Sequence, residues 1–378
     1  MKFLFVTNYI NHHQVPVSDV WNSLPGIDFR FIATTTVSEE RKRGGYREYT
    51  DKPYLFNAYE SAEAMARARR MIDEADVVLA GAVEDELLAC RLKEGKVTFH
   101  YSERWFKRDY HSLLSPRAWL YWYRHHIRYR DKPSYMMCSS AFTAPDVRKT
   151  FSYPGKCFKW GYFTATPEFD FEKKIAGFGS SGKVRMMFVG RFLSWKHPEM
   201  PVKLAVELRK HGYEFEINMY GGGEKYEEIC RLIEKLGVGD CVFLKGNLPN
   251  EELMEEMRRH EVFLFTSDRN EGWGAVLNEA MSNACAVVAA DEIGSVPYLI
   301  RHGHDGMVFR AGDGRDFYRR VSWLLDHPEE RRRLARAAYC RMHEEWSPEV
   351  AARRFVQLAQ TALHGCIKPM EEGPCSKA

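Results

Sequence analysis

The segment Asn270-Glu271-Gly272-Trp273-Gly274-Ala275-Val276-Leu277-Asn278-Glu279-Ala280 carries the densest set of residues able to do chemistry. Gly272 and Gly274 leave room for a ligand at the start of a helix, and a helix N-terminus attracts anions. Glu279 falls about one turn into that helix, where a carboxylate accepts two hydrogen bonds from a vicinal diol such as a ribose. Glu271, eight residues earlier on the loop, faces a neighbouring part of the same ligand. A plainer reading makes Glu279 a helix-surface residue and Glu271 a charge that favours the dipole. Arg191 and Lys196 follow the apolar run Met186–Gly190. At the carboxyl end of a strand, a planar guanidinium fork and a mobile ammonium suit a diphosphate; the alternative is two solvated charges. Gly221-Gly222-Gly223 sits between a strand and a helix, where peptide N–H groups face a phosphate or simply form a tight turn.

Other chemistries lack their residues. No Gly-x-Gly-x-x-Gly follows the first strand and no Gly-Lys-Ser/Thr closes a glycine loop, which argues against a nicotinamide dehydrogenase and a P-loop kinase. No Asp-x-Asp occurs, so the carboxylate pair that would bridge a diphosphate through a metal is missing. The expectation is a site with no metal and no cofactor. The nine cysteines form no Cys-x-x-Cys pair and leave an odd count, which reads as free thiols in a reducing compartment. A net charge of +3 is too small for a dedicated nucleic-acid partner. No run approaches the ~18 apolar residues of a membrane span. Met1–Ile10 has only the short apolar core Phe3–Val6, so no signal peptide and a cytoplasmic location are expected.

The elements that must position these groups alternate. At 378 residues, 45% hydrophobic and 28% charged, the chain is globular and too long for one core, so two domains are expected. Lys2–Thr7, Ile27–Ala33, Asp76–Ala80 and Lys96–His100 read as strands, with helices near Pro16 and over Ser61–Ala75 and Glu84–Leu92. Thr164–Lys183 holds proline, glycines and paired serines without periodicity and reads as a flexible linker. A second series follows: strands at Val184–Gly190, Phe215–Tyr220, Cys241–Lys245, Val262–Thr266 and Ala286–Ala290, and helices at Met200–His211, Lys225–Leu236, Glu251–Arg259 and Gly274–Asn283, with Tyr298–His302 continuing the pattern. This is an α/β chain of two doubly wound, Rossmann-like parallel-sheet domains facing a cleft, with ligands beyond the carboxyl ends of the strands. His364–Ala378 reads as a loose tail.

In this order the motifs are recognisable. Phe188-Val189-Gly190-Arg191 with Lys196, Tyr220-Gly221-Gly222-Gly223, Val242–Gly246, Thr266-Ser267, the Glu271…Glu279 pair with seven residues between, and Gly303…Gly306 resemble the retaining GT-B glycosyltransferases of family four. The resemblance covers nearly the whole second half. It implies the GT-B fold, with 1–163 on the acceptor side, 184–347 on the nucleotide-sugar side and the helix Pro348–Leu363 packing back on the first domain. It implies that Arg191 and Lys196 hold the donor diphosphate, Glu279 the ribose and Glu271 the sugar hydroxyls. Backbone N–H groups of Gly274 and Ala275 would meet phosphate, and Gly190, Gly222, Gly272 and Trp273 line the donor. The implied reaction is transfer of a hexosyl-type sugar to a hydroxyl acceptor, a lipid-linked or polysaccharide glycan of the cell envelope, with retention of configuration. Two rivals stay open. A nucleotide-sugar epimerase or hydrolase would release nucleoside diphosphate without an acceptor, and a non-catalytic subunit of a glycosyltransferase complex would not need the full donor set.

The first half is less specific. Asn8, His12 and His13 lie just past the first strand, and polar lining fits the adjacent histidines better than a metal pair lacking a third ligand. His100, after the fourth strand, resembles a histidine that many family members place beside the donor sugar. Glu103 and Arg104 are further candidates. Residues 107–132 hold seven basic side chains against Asp109 and Asp131, interleaved with Trp119, Tyr121, Trp122, Tyr123 and Tyr129. Such a stretch lies on an anionic membrane surface, or it is an ordinary helix with an aromatic core face.

Overall fold

The structure, a computed structural model, describes residues 1–38, 49–180 and 182–378. The chain divides into two compact units, Met1–Ala165 with Trp346–Ala378, and Thr166–Glu345.

The first unit is built on β1 (Lys2–Thr7), β2 (Asp28–Ala33), β3 (Leu55–Asn57), β4 (Val77–Ala80), β5 (Thr98–Ser102), β6 (Ser134–Cys138) and β7 (Cys157–Lys159). They form one sheet in the order β3-β2-β1-β4-β5-β6-β7, paired in parallel throughout. Parallel strands need crossovers, and helices α1 (Val15–Ser23), α2 (Ala62–Glu74), α3 (Ala89–Glu94), α4 (Pro116–His125) and α5 (Thr143–Lys149) supply them. Ser61 and Ser115 cap α2 and α4 by accepting a backbone N–H. The last long helix, Pro348–Leu363, completes this core and not that of the second unit. Its Phe355 packs among Phe3, Trp21, Phe99 and Trp160 at centroid distances of 5.0–5.5 Å, and the Trp21 indole N–H donates to the Ala352 carbonyl at 3.1 Å.

Two expectations are corrected here. The tail is not loose: Cys375 and Ser376 are buried, and Lys377 bridges antiparallel to Phe158. Lys159 N–H donates to Ser376 (2.7 Å) and Cys375 N–H to Lys159 (2.8 Å), so the tail covers the exposed edge of β7. Nor is Thr164–Lys183 an unstructured linker, although residue 181 lies outside the described residues. From Thr166 on it belongs to the second unit and contains helix α6 (Phe171–Ala176). Asp170 caps α6, Lys174 donates to the Met257 carbonyl at 3.0 Å, and Arg336 forks onto Glu172 at 2.8 and 2.6 Å.

The second unit holds β8 (Val184–Val189), β9 (Phe215–Tyr220), β10 (Val242–Gly246), β11 (Val262–Phe265), β12 (Ala286–Ala290) and β13 (Met307–Phe309). The order is β10-β9-β8-β11-β12-β13, again all parallel. Its helices are α7 (Glu199–Lys210), α8 (Tyr226–Leu236), α9 (Asn250–Arg259), α10 (Val276–Ser282), α11 (Val296–Leu299), α12 (Gly314–Asp326) and α13 (Pro328–Glu344). β11 and β12 are buried at every residue, as strands covered on both faces must be. Among the described residues, no helix is long and apolar enough to cross a membrane.

Because Phe355 is fully buried among four aromatic rings, Phe355→Ala should cost about 3–5 kcal/mol. Urea unfolding of the variant beside the parent checks this.

Candidate functional site

In the second sheet the strand order reverses between β8 and β11, so the loops leaving these neighbours diverge and open a crevice at their carboxyl ends. Arg191 and Lys196 leave β8 and Glu271 leaves β11, which brings together residues 75 positions apart. The Thr266 hydroxyl donates to the Lys196 carbonyl at 2.8 Å, and Asp268 N–H donates to the Trp195 carbonyl at 2.9 Å. Thus braced, the Lys196 ammonium ion-pairs with the Glu271 carboxylate, their side chains only 12% and 10% exposed. The Ser267 hydroxyl donates to the same carboxylate at 3.0 Å. The ammonium also lies 4.6 Å from the centroid of the Trp195 ring, a cation–π contact.

Glycine is required where backbone replaces side chain. Gly274 has φ +84°, and a Cβ there would stand 2.4 Å from the Phe265 ring and 3.2 Å from Glu271 Cγ. Gly221 has φ +133°, and its Cβ would meet the Gly190 carbonyl oxygen at 2.0 Å. The triplet therefore lies directly against the Arg191 loop: Gly190 N–H donates to Tyr220 (3.0 Å) and Phe192 N–H to Gly222 (2.7 Å). Packing, rather than a simple turn, explains its first glycine. Trp273, grouped above with the donor-lining residues, is fully buried and donates its indole N–H to Asn278 at 2.9 Å. Its side chain anchors the loop into α10. Glu279 lies in the first turn of α10, is buried rather than on the surface, and accepts from the Asn250 amide at 3.2 Å. Burial pushes its carboxyl up to about 7. Gly272 is buried, and Ala275 stands at the start of α10 without a side-chain cap.

The sequence reading missed His197. At φ +51° it holds a backbone conformation unusual for a non-glycine residue, directly after Lys196. Its ring meets Glu199 at 3.0 Å and Asp268 at 3.4 Å, a second tie between the β8 and β11 loops. The Glu199 hydrogen bond is the main cause that raises its pKa. Glu199, two residues on, was a local signal; Asp268 gave none.

In the first unit, Asn8 holds the loop after β1, its side-chain oxygen accepting from Tyr9 N–H at 2.9 Å. The His12 and His13 rings lie 3.8 Å apart, and His13 stacks on Tyr162 at 5.6 Å. Tyr162, also missed, donates its hydroxyl to Glu103, whose other oxygen ion-pairs with Lys107. Polar groups from the ends of β1, β5 and β7 thus converge at the carboxyl edge of this sheet. His100 does not join them. β5 continues to Ser102, so His100 lies within the strand, buried against His126 (5.6 Å) and Tyr153 (5.5 Å). Burial, then His126, pushes it down to about 3, which makes it a neutral core histidine and corrects its placement at a cleft. Arg104 is buried over the Phe142 ring.

Comparison with known proteins gives a consistent picture. Residues 170–341 match the family described as Glycosyl transferases group 1. The chain is similar to alpha-D-kanosaminyltransferase of Streptomyces kanamyceticus, 30% identical over 194 residues, 50% of this chain and 47% of that protein. It is also similar to a D-inositol 3-phosphate glycosyltransferase of Thermobispora bispora, 27% identical over 207 residues, 52% of this chain and 47% of that protein. The chain thus spans about half the length of these curated relatives. In fold, it matches the Anabaena protein Alr3699/HepE, solved in complex with UDP, with a TM-score of 0.68 at 14% identity over 96% of this chain and 100% of that one.

The buried histidines give a pH prediction. His100 and His126, each pushed down to about 3, stay neutral in the fold, whereas in the unfolded chain they take protons near 6.5. Their contribution is complete above pH 6.5 and falls as pH drops, by up to about 1.4 kcal/mol per unit for each. His100→Met should flatten the dependence of the urea midpoint on pH between 7 and 4.

Proposed function

We propose, from the match of residues 170–341 to the glycosyl transferases group 1, that the chain transfers a sugar from a nucleotide-diphosphate donor to a hydroxyl acceptor, with retention and without a metal. The observation that carries this reading is the meeting of Lys196 and Glu271 at the strand-order reversal, with Arg191 and Glu279 on flanking segments.

The difficult charge is that of the leaving diphosphate. Arg191 offers a planar fork and Lys196 a mobile ammonium; backbone N–H groups of Gly274 and Ala275 add neutral donors. On donor binding Lys196 turns from Glu271 to the diphosphate. Glu271, still held by Ser267, then accepts from hydroxyls of the sugar. Glu279, in its ionised form, accepts from the ribose diol. As the anomeric C–O bond to phosphate breaks, the acceptor oxygen bonds the same carbon from the same face. The acceptor proton passes to the departing phosphate oxygen. Once Lys196 has turned, two cations and the backbone donors stabilise that oxygen, which is how a metal-free site accelerates the step.

The acceptor in this reading is a polysaccharide or lipid-linked glycan. The Tyr162, Glu103 and His13 cluster of the first unit supports it, since hydroxyl, carboxylate and imidazole groups suit sugar hydroxyls.

Turnover of a defined donor and acceptor tests this. Chelator should leave activity nearly unchanged, and Arg191→Ala should lower it by ~10²–10³, the usual loss for one preorganised donor. Activity abolished by chelator, or near-normal turnover by Arg191→Ala, would contradict the assignment of charge.

A further inference from the structure

Helix α4 leaves large apolar side chains among the arginines on the face it turns to water. Its inner face buries Trp122, while Leu120, Tyr121 and Tyr123 stand about half exposed beside Arg117 and Arg124. A soluble helix ordinarily turns polar residues outward. The short helical turn before it leaves Leu114 82% exposed. Phe151, whose ring touches that of Trp119 of α4 at 6.2 Å, is 67% exposed. Of seven large hydrophobic side chains left exposed among the described residues, six belong to this region: Tyr110, Leu114, Leu120, Tyr121, Tyr123 and Phe151. Ring contacts run from Tyr110 through Phe106, Trp122 and Trp119 to Phe151, so both ends of this region rest on one aromatic cluster.

Phe151 adds an independent observation. Its φ is +58°, a left-handed conformation that is an outlier for a bulky side chain. A glycine or asparagine would fit there without strain, yet the position holds an aromatic ring turned into solvent. Stability does not account for that ring.

The charge around these side chains selects the partner. Arg108, Arg117, Arg124, Arg148 and Lys149 are exposed on the same segments, and the Lys149 ammonium lies 5.0 Å from the Tyr110 ring centroid. Exposed aromatic and aliphatic side chains within a cationic field suit a surface that is anionic outside and apolar just below. We propose that the face formed by α4, the turn before it and Phe151 docks on an anionic lipid bilayer, inserting Leu114 and Phe151 below the headgroups while the arginines pair with lipid phosphates. This stands apart from the sugar-transfer reading, and its readout needs no donor.

Sedimentation of the chain with vesicles of phosphatidylcholine, alone or mixed with phosphatidylglycerol, tests it. The chain should pellet with the mixed vesicles and not with the neutral ones. Arg117→Ser and Arg124→Ser should each weaken binding about fivefold. Phe151→Gly should weaken it about tenfold while the melting temperature holds or rises, because the glycine relieves the left-handed backbone. A ring that served folding alone would show the reverse. Failure to pellet with anionic vesicles, equal binding to neutral ones, or parent-like binding by Phe151→Gly would overturn the proposal. So would a dimer in sedimentation velocity without lipid that Leu114→Ser dissolves, since the face would then meet a second copy.

Discussion

A lysine ammonium and a glutamate carboxylate share a nearly dry space where the second sheet reverses its strand order. Placing Lys196 and Glu271 there is costly, because each charge leaves water, and such a pair seldom improves on apolar packing for stability. What the arrangement provides is position. Thr266 and Asp268 pin the backbone at Lys196 and Trp195, Ser267 holds the carboxylate, and His197 ties the same loops through Glu199 and Asp268. Gly274 lets the chain pass under Phe265 without displacing Glu271. Each part holds the Lys196 ammonium and the Glu271 carboxylate at one point of the crevice.

The first sheet reverses between β1 and β4 and likewise gathers polar side chains at its carboxyl edge, yet its chemistry is softer. Tyr162 links His13 to Glu103 by a stack and a hydrogen bond, an arrangement that can orient hydroxyls but offers little to a diphosphate. The core beneath it is completed from far along the chain. Pro348–Leu363 seals one face of the sheet with Phe355, and the final residues cover the edge at β7. A segment that reads as polar and irregular by itself is ordered because an edge strand offers it unpaired backbone.

Much of the scaffold was legible because the strands buried on both faces are short, uninterrupted apolar runs. Val262–Phe265 and Ala286–Ala290 are such runs, buried at every residue. β6 was not read: Tyr135-Met136-Met137-Cys138 is apolar but holds no β-branched residue, and it becomes a strand by pairing with its neighbours. That omission displaced His100. β5 extends to Ser102 because Tyr101 and Ser102 pair with Met137 and Cys138 of β6, and with β6 unread the strand seemed to stop at His100. At the site, Glu271 and Glu279 were legible as a local pattern. The Lys196–Glu271 contact spans 75 residues and follows from topology, so no spacing encodes it. His197 and Tyr162 were missed for the same reason, since their partners Asp268 and Glu103 are distant in sequence.

The most direct measurement is a crystal structure of the chain with a nucleoside diphosphate bound. The Lys196 ammonium should be found on a diphosphate oxygen instead of on Glu271, with the diphosphate also accepting from backbone N–H groups at Gly274 and Ala275 and the ribose diol on Glu279. A nucleotide seated elsewhere, with Lys196 still paired to Glu271, would contradict the assignment of this crevice as the donor site.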